Sequence, residues 1–228
     1  NFDKRLFNHI YLRQTKAEYD NSATNQSGYE GDNKMGTFQL GLEELTQQSN
    51  NKYILYYNFY DREYDERGTI DTYESEVVGV KYDFSKTLDN QFSFGAGSEY
   101  KYDWGYFNNN GSYQASTKGH SDNISIYTNL GWNIFDKFNL SLFGRNDKHK
   151  YTGNNKTYKI NLEQKISKSS IGASFMKGLR NPTLYELFGT DNFGYSGNRN
   201  LLAEKSNTLE LYTNLIINDY SNATIRGF

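Results

Sequence analysis

Apolar and polar residues alternate with a period of two along most of the chain. Residues two apart lie on the same face of a β-strand, so this alternation is typical of strands. The clearest case is the segment 123–134, whose apolar positions are Ile124, Ile126, Leu130, Trp132 and Ile134. The same rhythm predicts eleven strands, at 5–16, 35–46, 52–61, 69–84, 91–103, 122–134, 138–147, 156–166, 170–178, 206–218 and 222–228.

The connections between these strands are long and short in turn. The long ones are 17–34, 62–68, 104–121, 148–155 and 179–205, and the short ones are 49–51, 85–90, 136–137, 167–169 and 219–221. Transmembrane barrels have long loops on one rim and short turns on the other, whereas Greek-key sandwiches do not keep that regularity. The pattern therefore predicts an all-β fold, an antiparallel up-and-down transmembrane β-barrel present as a partial barrel of about 11 strands.

The positions of charged residues indicate which face meets lipid. In 156–166, Lys159 and Lys165 alternate with Ile160 and Leu162. A lysine at the bilayer midplane costs about 2–4 kcal/mol. The charged face must therefore line the lumen, and the apolar face must meet lipid.

Composition also favours a membrane barrel over a soluble core. The 228 residues include 21 Tyr and 15 Phe, yet the mean hydropathy is −0.88. In a barrel only alternate residues face lipid, and tyrosine suits the interfacial girdles. The net charge of −2 gives no reason to expect nucleic acid as a partner. Because the chain has no cysteine, disulfides, zinc–thiolate sites and cysteine nucleophiles are excluded.

One stretch breaks the period-two rhythm. Pro182, the only proline in the chain, fixes its own φ and suits the first turn of a helix, with Asn181 before it as a cap. The residues that follow have the spacing of one helical turn closed by a glycine: Leu184, Leu187, Phe188 and Gly189. We therefore predict a short helix inside the connection 179–205.

The same stretch resembles the segment "(F)RxPxLxELxG … GNPxLxPEKS" of TonB-dependent outer-membrane receptors. The matching residues are Arg180, Pro182, Leu184, Glu186, Leu187, Gly189, Gly197, Asn198, Asn200, Leu201, Glu204, Lys205 and Ser206. Two prolines that are usual in the second half are replaced here by Arg199 and Ala203.

The resemblance implies a receptor of the bacterial outer membrane that imports a large, scarce nutrient, either cobalamin or a ferric siderophore. The layout and modest loop lengths resemble the cobalamin-receptor branch somewhat more. Receptors of this kind have about 22 strands and a plug. We therefore expect residues 1–228 to be part of one barrel domain whose plug and remaining strands lie outside this sequence. Expected partners are outer-membrane lipid and lipopolysaccharide, the TonB complex through the plug, and the imported ligand.

Two groups of residues are candidates for ligand binding. The first lies at the base of the connection 104–121 and would either contact a partly apolar ligand or form an interfacial girdle: Tyr102, Trp104, Tyr106 and Phe107. The second lies in the connection 179–205: Asn192, Phe193, Tyr195 and Arg199. In that loop we expect the family motif, including Asn198 and Glu204, to brace the loop, with Arg180 paired to Glu186.

The sequence predicts no catalytic site and no resident cofactor. Five acidic residues at 61–71 could hold calcium, although the interleaved Arg62 and Arg67 favour a solvated loop: Asp61, Glu63, Asp65, Glu66 and Asp71. His9, His120 and His149 lack the spacing of a metal-binding pair, and no histidine is placed beside Ser141 or Ser174. The alternative to a receptor is a passive porin, which would need a ladder of opposite charges at a constriction.

Overall fold

The computed structural model describes residues 2–21, 26–89, 91–111, 114–191, 194–218 and 220–228. These residues form strands and one short helix: β1 (Asp3–Asn21), β2 (Gln26–Leu45), β3 (Ser49–Glu66), β4 (Thr69–Thr87), β5 (Phe92–Asn109), β6 (Ala115–Ile134), β7 (Phe138–His149), β8 (Gly153–Ile166), β9 (Ser169–Arg180), α1 (Leu184–Phe188), β10 (Glu204–Asn218) and β11 (Ser221–Gly227).

The strands form a single antiparallel sheet of 11 strands in which spatial order follows sequence order, from β1 to β11. Among the described residues β1 and β11 are not paired with each other, so the sheet is open. This arrangement is a partial up-and-down barrel, and the predicted number and order of strands are confirmed. No helix in the described part of the chain is long and apolar enough to cross a membrane.

The strands run further than the sequence pattern predicted. All five predicted long connections were too long, the last of them by only four residues. The segments that lie between strands at that rim are 22–25, 67–68, 110–114, 150–152 and 181–203. Above the membrane both faces of a strand are polar. In β3, for example, Asp61 and Glu63 lie on one face and Arg62, between them in the sequence, lies on the other. Alternation is lost there, although the hydrogen-bonded ladder continues.

The outward face of the sheet carries an apolar band. Its members include Leu140 and Leu142 of β7 and Ile160 and Leu162 of β8, whereas Lys159 points to the other face. At about 3.3 Å per residue, the 20 residues of β2 reach about 65 Å. Even tilted by about 40°, such a strand rises well beyond an apolar band about 25 Å tall. The longer strands therefore project into the extracellular space, on the rim that holds the segment 181–203.

The opposite face is concave, because its side chains meet across strands that are not neighbours. The Tyr56 hydroxyl donates to Glu99 Oε1 over 3.0 Å, from β3 to β5. Tyr127 of β6 reaches Asp83 of β4 over 2.5 Å, and Arg145 Nη2 of β7 donates to Glu99 Oε2 over 3.0 Å. Strands two apart are separated by about 9–10 Å, so these contacts require side chains that converge. The concave face is the predicted polar lumen.

Glycine opposite an aromatic residue recurs on this face. Gly79 pairs directly with Tyr56, and Gly97 pairs with Tyr127. A Cβ at Gly97 would lie 2.4 Å from Tyr127 Cε2, and one at Gly79 would lie 2.3 Å from Tyr56 Cζ. Each ring therefore lies flat over the glycine opposite it, which directs its hydroxyl group across the sheet.

We predict that Gly97→Val displaces the Tyr127 ring and breaks its bond to Asp83, destabilising the barrel by about 1–3 kcal/mol. The matched control is Gly144→Val, because an added Cβ there has no neighbour within 4 Å and should change stability by less than about 0.5 kcal/mol. Urea unfolding of the intact protein in lipid vesicles measures both changes. Equal effects of the two substitutions would show that the glycine–tyrosine contact is not responsible.

Candidate functional site

Local sequence fixes the helix α1 inside the segment 181–203. Thr183 is the N-cap, and its Oγ1 accepts from Glu186 N over 3.2 Å. In return Glu186 Oε2 accepts from Thr183 N over 2.7 Å, which completes a capping box. Pro182 therefore precedes the cap instead of occupying the first turn, and Asn181 accepts from the Thr152 hydroxyl and caps nothing. Both corrections arise because Thr183 and Glu186 have the three-residue spacing of the box.

Arg180 holds the two ends of this segment together. It is paired with Glu204 across β9 and β10, and its Nε donates to Glu204 Oε2 over 2.9 Å. Its Nη2 also donates to Glu186 Oε1 over 2.9 Å. One guanidinium thus joins the start of the loop, the helix and the end of the loop. The predicted pairing of Arg180 with Glu186 is present.

The helix is seated in a notch of the concave wall made by two glycines. Gly105 of β5 and Gly119 of β6 face each other in the ladder. A Cβ at Gly119 would lie 2.2 Å from Phe188 Cδ2, and one at Gly105 would lie 3.2 Å from Leu184 Cδ1. Thr117 Oγ1 donates to the Phe188 carbonyl oxygen over 2.5 Å. Because Gly105 and Gly119 have no side chains, the wall has a space at these positions, and α1 fills it.

Aromatic rings surround the docked helix. Tyr185 lies 5.4 Å from Phe107 and 5.9 Å from Tyr73, ring centre to ring centre. On its other side Tyr195 stacks on Tyr185 at 5.2 Å with an interplanar angle of 8°. Phe107 is only 5% exposed. Contacts of this kind add about 0.5–1.5 kcal/mol each beyond area burial, so the cluster fixes the helix against β4 and β5.

Beside α1, against the concave face of the sheet, lies a cavity of about 1120 Å³. It is larger than the roughly 300–1,000 Å³ usual for drug-sized ligands. Pro182, Thr183 and Leu184 form one side. The strand residues of the lining include an aromatic and cationic set on the concave face: Tyr60, Arg62, Tyr64, Tyr73, Lys101 and Phe107. The lining also includes the acidic residues Glu74, Glu76 and Asp103.

The cavity also exposes a buried serine–histidine pair that the sequence analysis missed. Ser121 Oγ lies 2.7 Å from His149 Nε2, and these residues are 2% and 6% exposed. The backbone N–H groups of Tyr151 and Thr152 both point at His149 Nδ1 over 3.3 Å. Nε2 therefore carries the proton and donates to Ser121, which is the reverse of what a serine nucleophile requires. The pair belongs to the cavity lining, and the contacts of His149 position the turn 150–152.

Two of the first group of candidate ligand-binding residues, Trp104 and Phe107, belong to the cavity lining. Phe107 lies on the concave face, in the cluster beneath α1. Tyr102, Trp104 and Tyr106 alternate with it and therefore point outward, where Tyr102 stacks on His120 at 5.6 Å. Those three aromatics lie at the extracellular edge of the apolar band, the position of an interfacial girdle.

Two of the four residues in the second group of candidate ligand-binding residues lie in the described part of the chain. Asn192 and Phe193 lie outside the described residues. Tyr195 stacks on α1 as above, and the Arg199 guanidinium lies 4.9 Å from the centre of the Phe188 ring. Tyr195 remains 37% exposed, so one ring face is accessible. The structure therefore brings Phe107, Tyr195 and Arg199 together around α1.

The five acidic residues at 61–71 do not converge. Asp61, Glu63 and Asp65 point outward from β3, whereas Glu66 and Asp71 belong to the concave face. Asp71 Oδ1 accepts from Asn110 N over 2.9 Å. Within the described ranges, no three His, Asp or Glu side chains are grouped to hold a metal ion.

These features define a class of protein, namely a section of a membrane β-barrel whose extracellular end carries a braced loop beside a large cavity. A family model described as TonB dependent receptor-like, beta-barrel matches residues 1–228, and the chain belongs to this family. It is accordingly a protein of the bacterial outer membrane. No curated protein sequence matches it.

Solved structures share the fold at low sequence identity. The siderophore receptor PirA from Acinetobacter baumannii matches with a TM-score of 0.73 at 15% identity, over 96% of this chain and 40% of that one. The ferric-catecholate import receptor Fiu from E. coli K12 gives 0.77 at 12%, over 98% and 48%. The copper transporter OprC gives 0.73 at 13%, over 93% and 41%. The chain thus spans less than half the length of these proteins.

We predict that Leu187→Ala undocks the loop. Leu187 is 1% exposed, and truncating such a side chain costs about 2–5 kcal/mol. The control is Leu202→Ala, since Leu202 is in the same loop but 81% exposed. Limited proteolysis should cut the first variant within 181–203 faster than wild type and leave the second unchanged. Equal cleavage of the two variants would contradict this account of docking.

We also predict that acid loosens the loop. The hydrogen bond from Arg180, followed by that from the Thr183 backbone, lowers the pKa of Glu186 from 4.5 to about 2. Because the folded pKa is depressed, the stabilisation is complete above pH 4.5 and is lost as pH falls towards about 2. Hydrogen exchange of residues 183–198, corrected for intrinsic rates, should accelerate across that window. A Glu186→Gln variant should show a smaller pH dependence, and an equal dependence would rule out Glu186 as the titrating group.

Proposed function

We propose that the protein of which this barrel section is part imports a large, anionic metal chelate of the ferric siderophore class. Uptake would be driven through TonB acting on a plug within the barrel. The observation that carries the proposal is the cavity beside α1, whose concave wall is rich in tyrosine and includes two cationic side chains. Its wall residues Tyr60, Tyr64 and Tyr73 are combined with Arg62 and Lys101.

The cavity chemistry suits such a ligand. Tyrosine offers flat apolar area at small entropic cost together with a hydroxyl donor. Arg62 lies 5.7 Å from the centre of the Tyr64 ring, which keeps its guanidinium within the cavity wall. Lys101 is paired with Asp103 at 2.9 Å, and Glu74 and Glu76 of the lining occupy outward positions of β4. On the concave side of the lining, Arg62 is therefore the positive charge that Asp103 does not offset. A bulky anion with aromatic or hydroxamate arms is the complement of this surface.

A binding role also agrees with the tautomer of His149. Because Nε2 donates to Ser121, His149 is not placed to act as the base for a Ser121 nucleophile. We therefore assign the cavity to ligand binding and not to catalysis. The porin alternative is less well supported, since α1 and its aromatic cluster occupy space beside the wall that a water-filled passage would keep open. Structurally similar receptors whose names refer to a siderophore or to a ferric catecholate add support to the ligand class.

The test is a binding titration on the intact receptor with a ferric tris-catecholate and with cobalamin, followed by intrinsic fluorescence. We predict saturable binding of the ferric chelate. Arg62→Gln should weaken it by about 10–100-fold, the effect of losing one charge-assisted hydrogen bond.

The control is Arg226→Gln, on the same concave face but in β11 and paired with Glu210 at 3.6 Å. It should bind the chelate as wild type does. Binding of cobalamin without the ferric chelate would refute the ligand class and leave the family assignment intact. Equal weakening by Arg62→Gln and Arg226→Gln would show that the cavity beside α1 is not the binding site.

A further inference from the structure

The turn 150–152, between β7 and β8, contacts the segment that carries α1 at both ends of the helix. The Thr152 hydroxyl donates to Asn181 Oδ1 over 2.8 Å, just before the helix begins. The Tyr151 ring packs edge-on against Phe188, the last residue of α1, with the ring centres 5.5 Å apart. We call the turn 150–152 with these two contacts the clasp. It holds α1 in its seat on the wall.

The side chain of His149 holds the clasp in place. His149 is the last residue of β7, at the extracellular rim above the apolar band. Its Nδ1 accepts from the backbone N–H groups of Tyr151 and Thr152, each over 3.3 Å, and the described part of the chain offers neither group a second acceptor. Its Nε2 donates to Ser121 Oγ over 2.7 Å. A ring that accepts at one nitrogen and donates at the other is a neutral imidazole, so the clasp requires His149 to be uncharged.

A second proton on the His149 ring would be placed at Nδ1, where it would face the two N–H groups that this nitrogen now binds. Both groups would lose their acceptor, because a protonated ring nitrogen can only donate. The Thr152 hydroxyl oxygen lies 3.2 Å from Nδ1, but it already accepts from Asn155 Nδ2 over 3.1 Å and donates to Asn181. The added proton would therefore compete for the hydroxyl that ties the turn to the loop.

The surroundings of His149 favour its neutral form. Burial lowers the pKa of His149 below its ordinary value of 6.5, and Lys101 of β5 lowers it further. Asn155 of β8 and Asn181 of the loop, which meet the turn, carry no charge. Three carboxylates on β5, β6 and β7 act in the opposite direction: Asp103, Asp122 and Asp147. Because the folded pKa is lowered, the stabilisation from His149 is complete above pH 6.5 and is lost as the pH falls below that value.

We propose that the clasp is an acid-sensitive switch for the docking of α1. At neutral pH the uncharged His149 ring holds the turn, and the turn holds the helix against the wall. In acid the charged ring releases the turn, the bond to Asn181 is lost, and the segment 181–203 is freed at its start. Since Asn181, Pro182 and Thr183 line the cavity, the cavity wall opens with the loop. The switch acts on the loop itself and does not depend on which ligand the receptor imports.

The test is hydrogen exchange of the intact receptor without ligand, corrected for intrinsic rates. It is measured between pH 6.5 and pH 4.5, above the range in which Glu186 titrates. Exchange in the turn 150–152 and in residues 181–188 should rise about threefold or more as the pH falls across this range. His149→Asn keeps an oxygen acceptor near the turn but cannot take up the proton, so it should remove the rise.

The matched control is His120→Gln. His120 contacts the same turn, with Nε2 2.6 Å from Lys150 Nζ, but it is exposed on the outward face. This variant should respond to acid as wild type does, because His120 does not bind the backbone of the turn through its ring.

A second variant separates the switch from its effect on the loop. Thr152→Val removes the hydroxyl that reaches Asn181 and leaves His149 and the two backbone N–H groups in place. Acid should still raise exchange in the turn of this variant, but residues 181–188 should no longer follow. Thr152→Val also tests the proposal if His149→Asn does not fold, which heat-modifiable gel migration would reveal.

Four results would overturn the proposal. The first is no rise in exchange in wild type across this range, and the second is an undiminished rise in His149→Asn. The third is an equal loss of the rise in His120→Gln, which would mean that the number of histidines matters and the position of His149 does not. The fourth is a rise at residues 181–188 that persists in Thr152→Val, which would show that the turn does not control the loop.

Discussion

The structure depends on one constraint, namely that each strand pairs with its neighbours in the chain so that backbone N–H and C=O groups are satisfied inside the bilayer. Pairing in sequence order then fixes the face on which every side chain lies. On β8 this places Lys159 inside and Ile160 outside. The same alternation places the cavity residues of β3 to β5 on one face and the acidic or aromatic outer wall on the other. The lumen-facing and membrane-facing surfaces thus follow from a single register.

Sequence alternation predicted the strands wherever one face meets lipid. The predicted 122–134 lies within β6 (Ala115–Ile134), and the missing part is the segment that rises above the bilayer. There the apolar signal disappears, so Gly119 and Ser121 were placed in a loop, although each is paired in the ladder. Tyr60 and Arg62 were missed as cavity residues for the same reason. Glycine in a strand often marks a close approach of other groups, and Gly105 with Gly119 was the available signal for the seat of α1.

The short helix was predictable because its information is local. Leu184, Leu187 and Phe188 have helical spacing, and Thr183 with Glu186 supplies the cap. The partners of the helix were not predictable from one sequence. Phe107 and Tyr73 are more than 70 residues away in the chain, and their contact with Tyr185 depends on how far the sheet curls. The pairing of Ser121 with His149 likewise depends on the register of β6 and β7. Register is set by turns and packing, which alternation alone does not specify.

The projecting strands have a consequence for how such a protein can change over time. In β3 above the bilayer, Tyr60, Arg62 and Tyr64 face the cavity, and Asp61, Glu63 and Asp65 face away from it. The second set is presented to the outside of the barrel, and the first set lines the lumen. Because adjacent codons encode the two sets without mixing their positions, substitutions can change the outer surface of the projecting strand and leave the cavity wall intact.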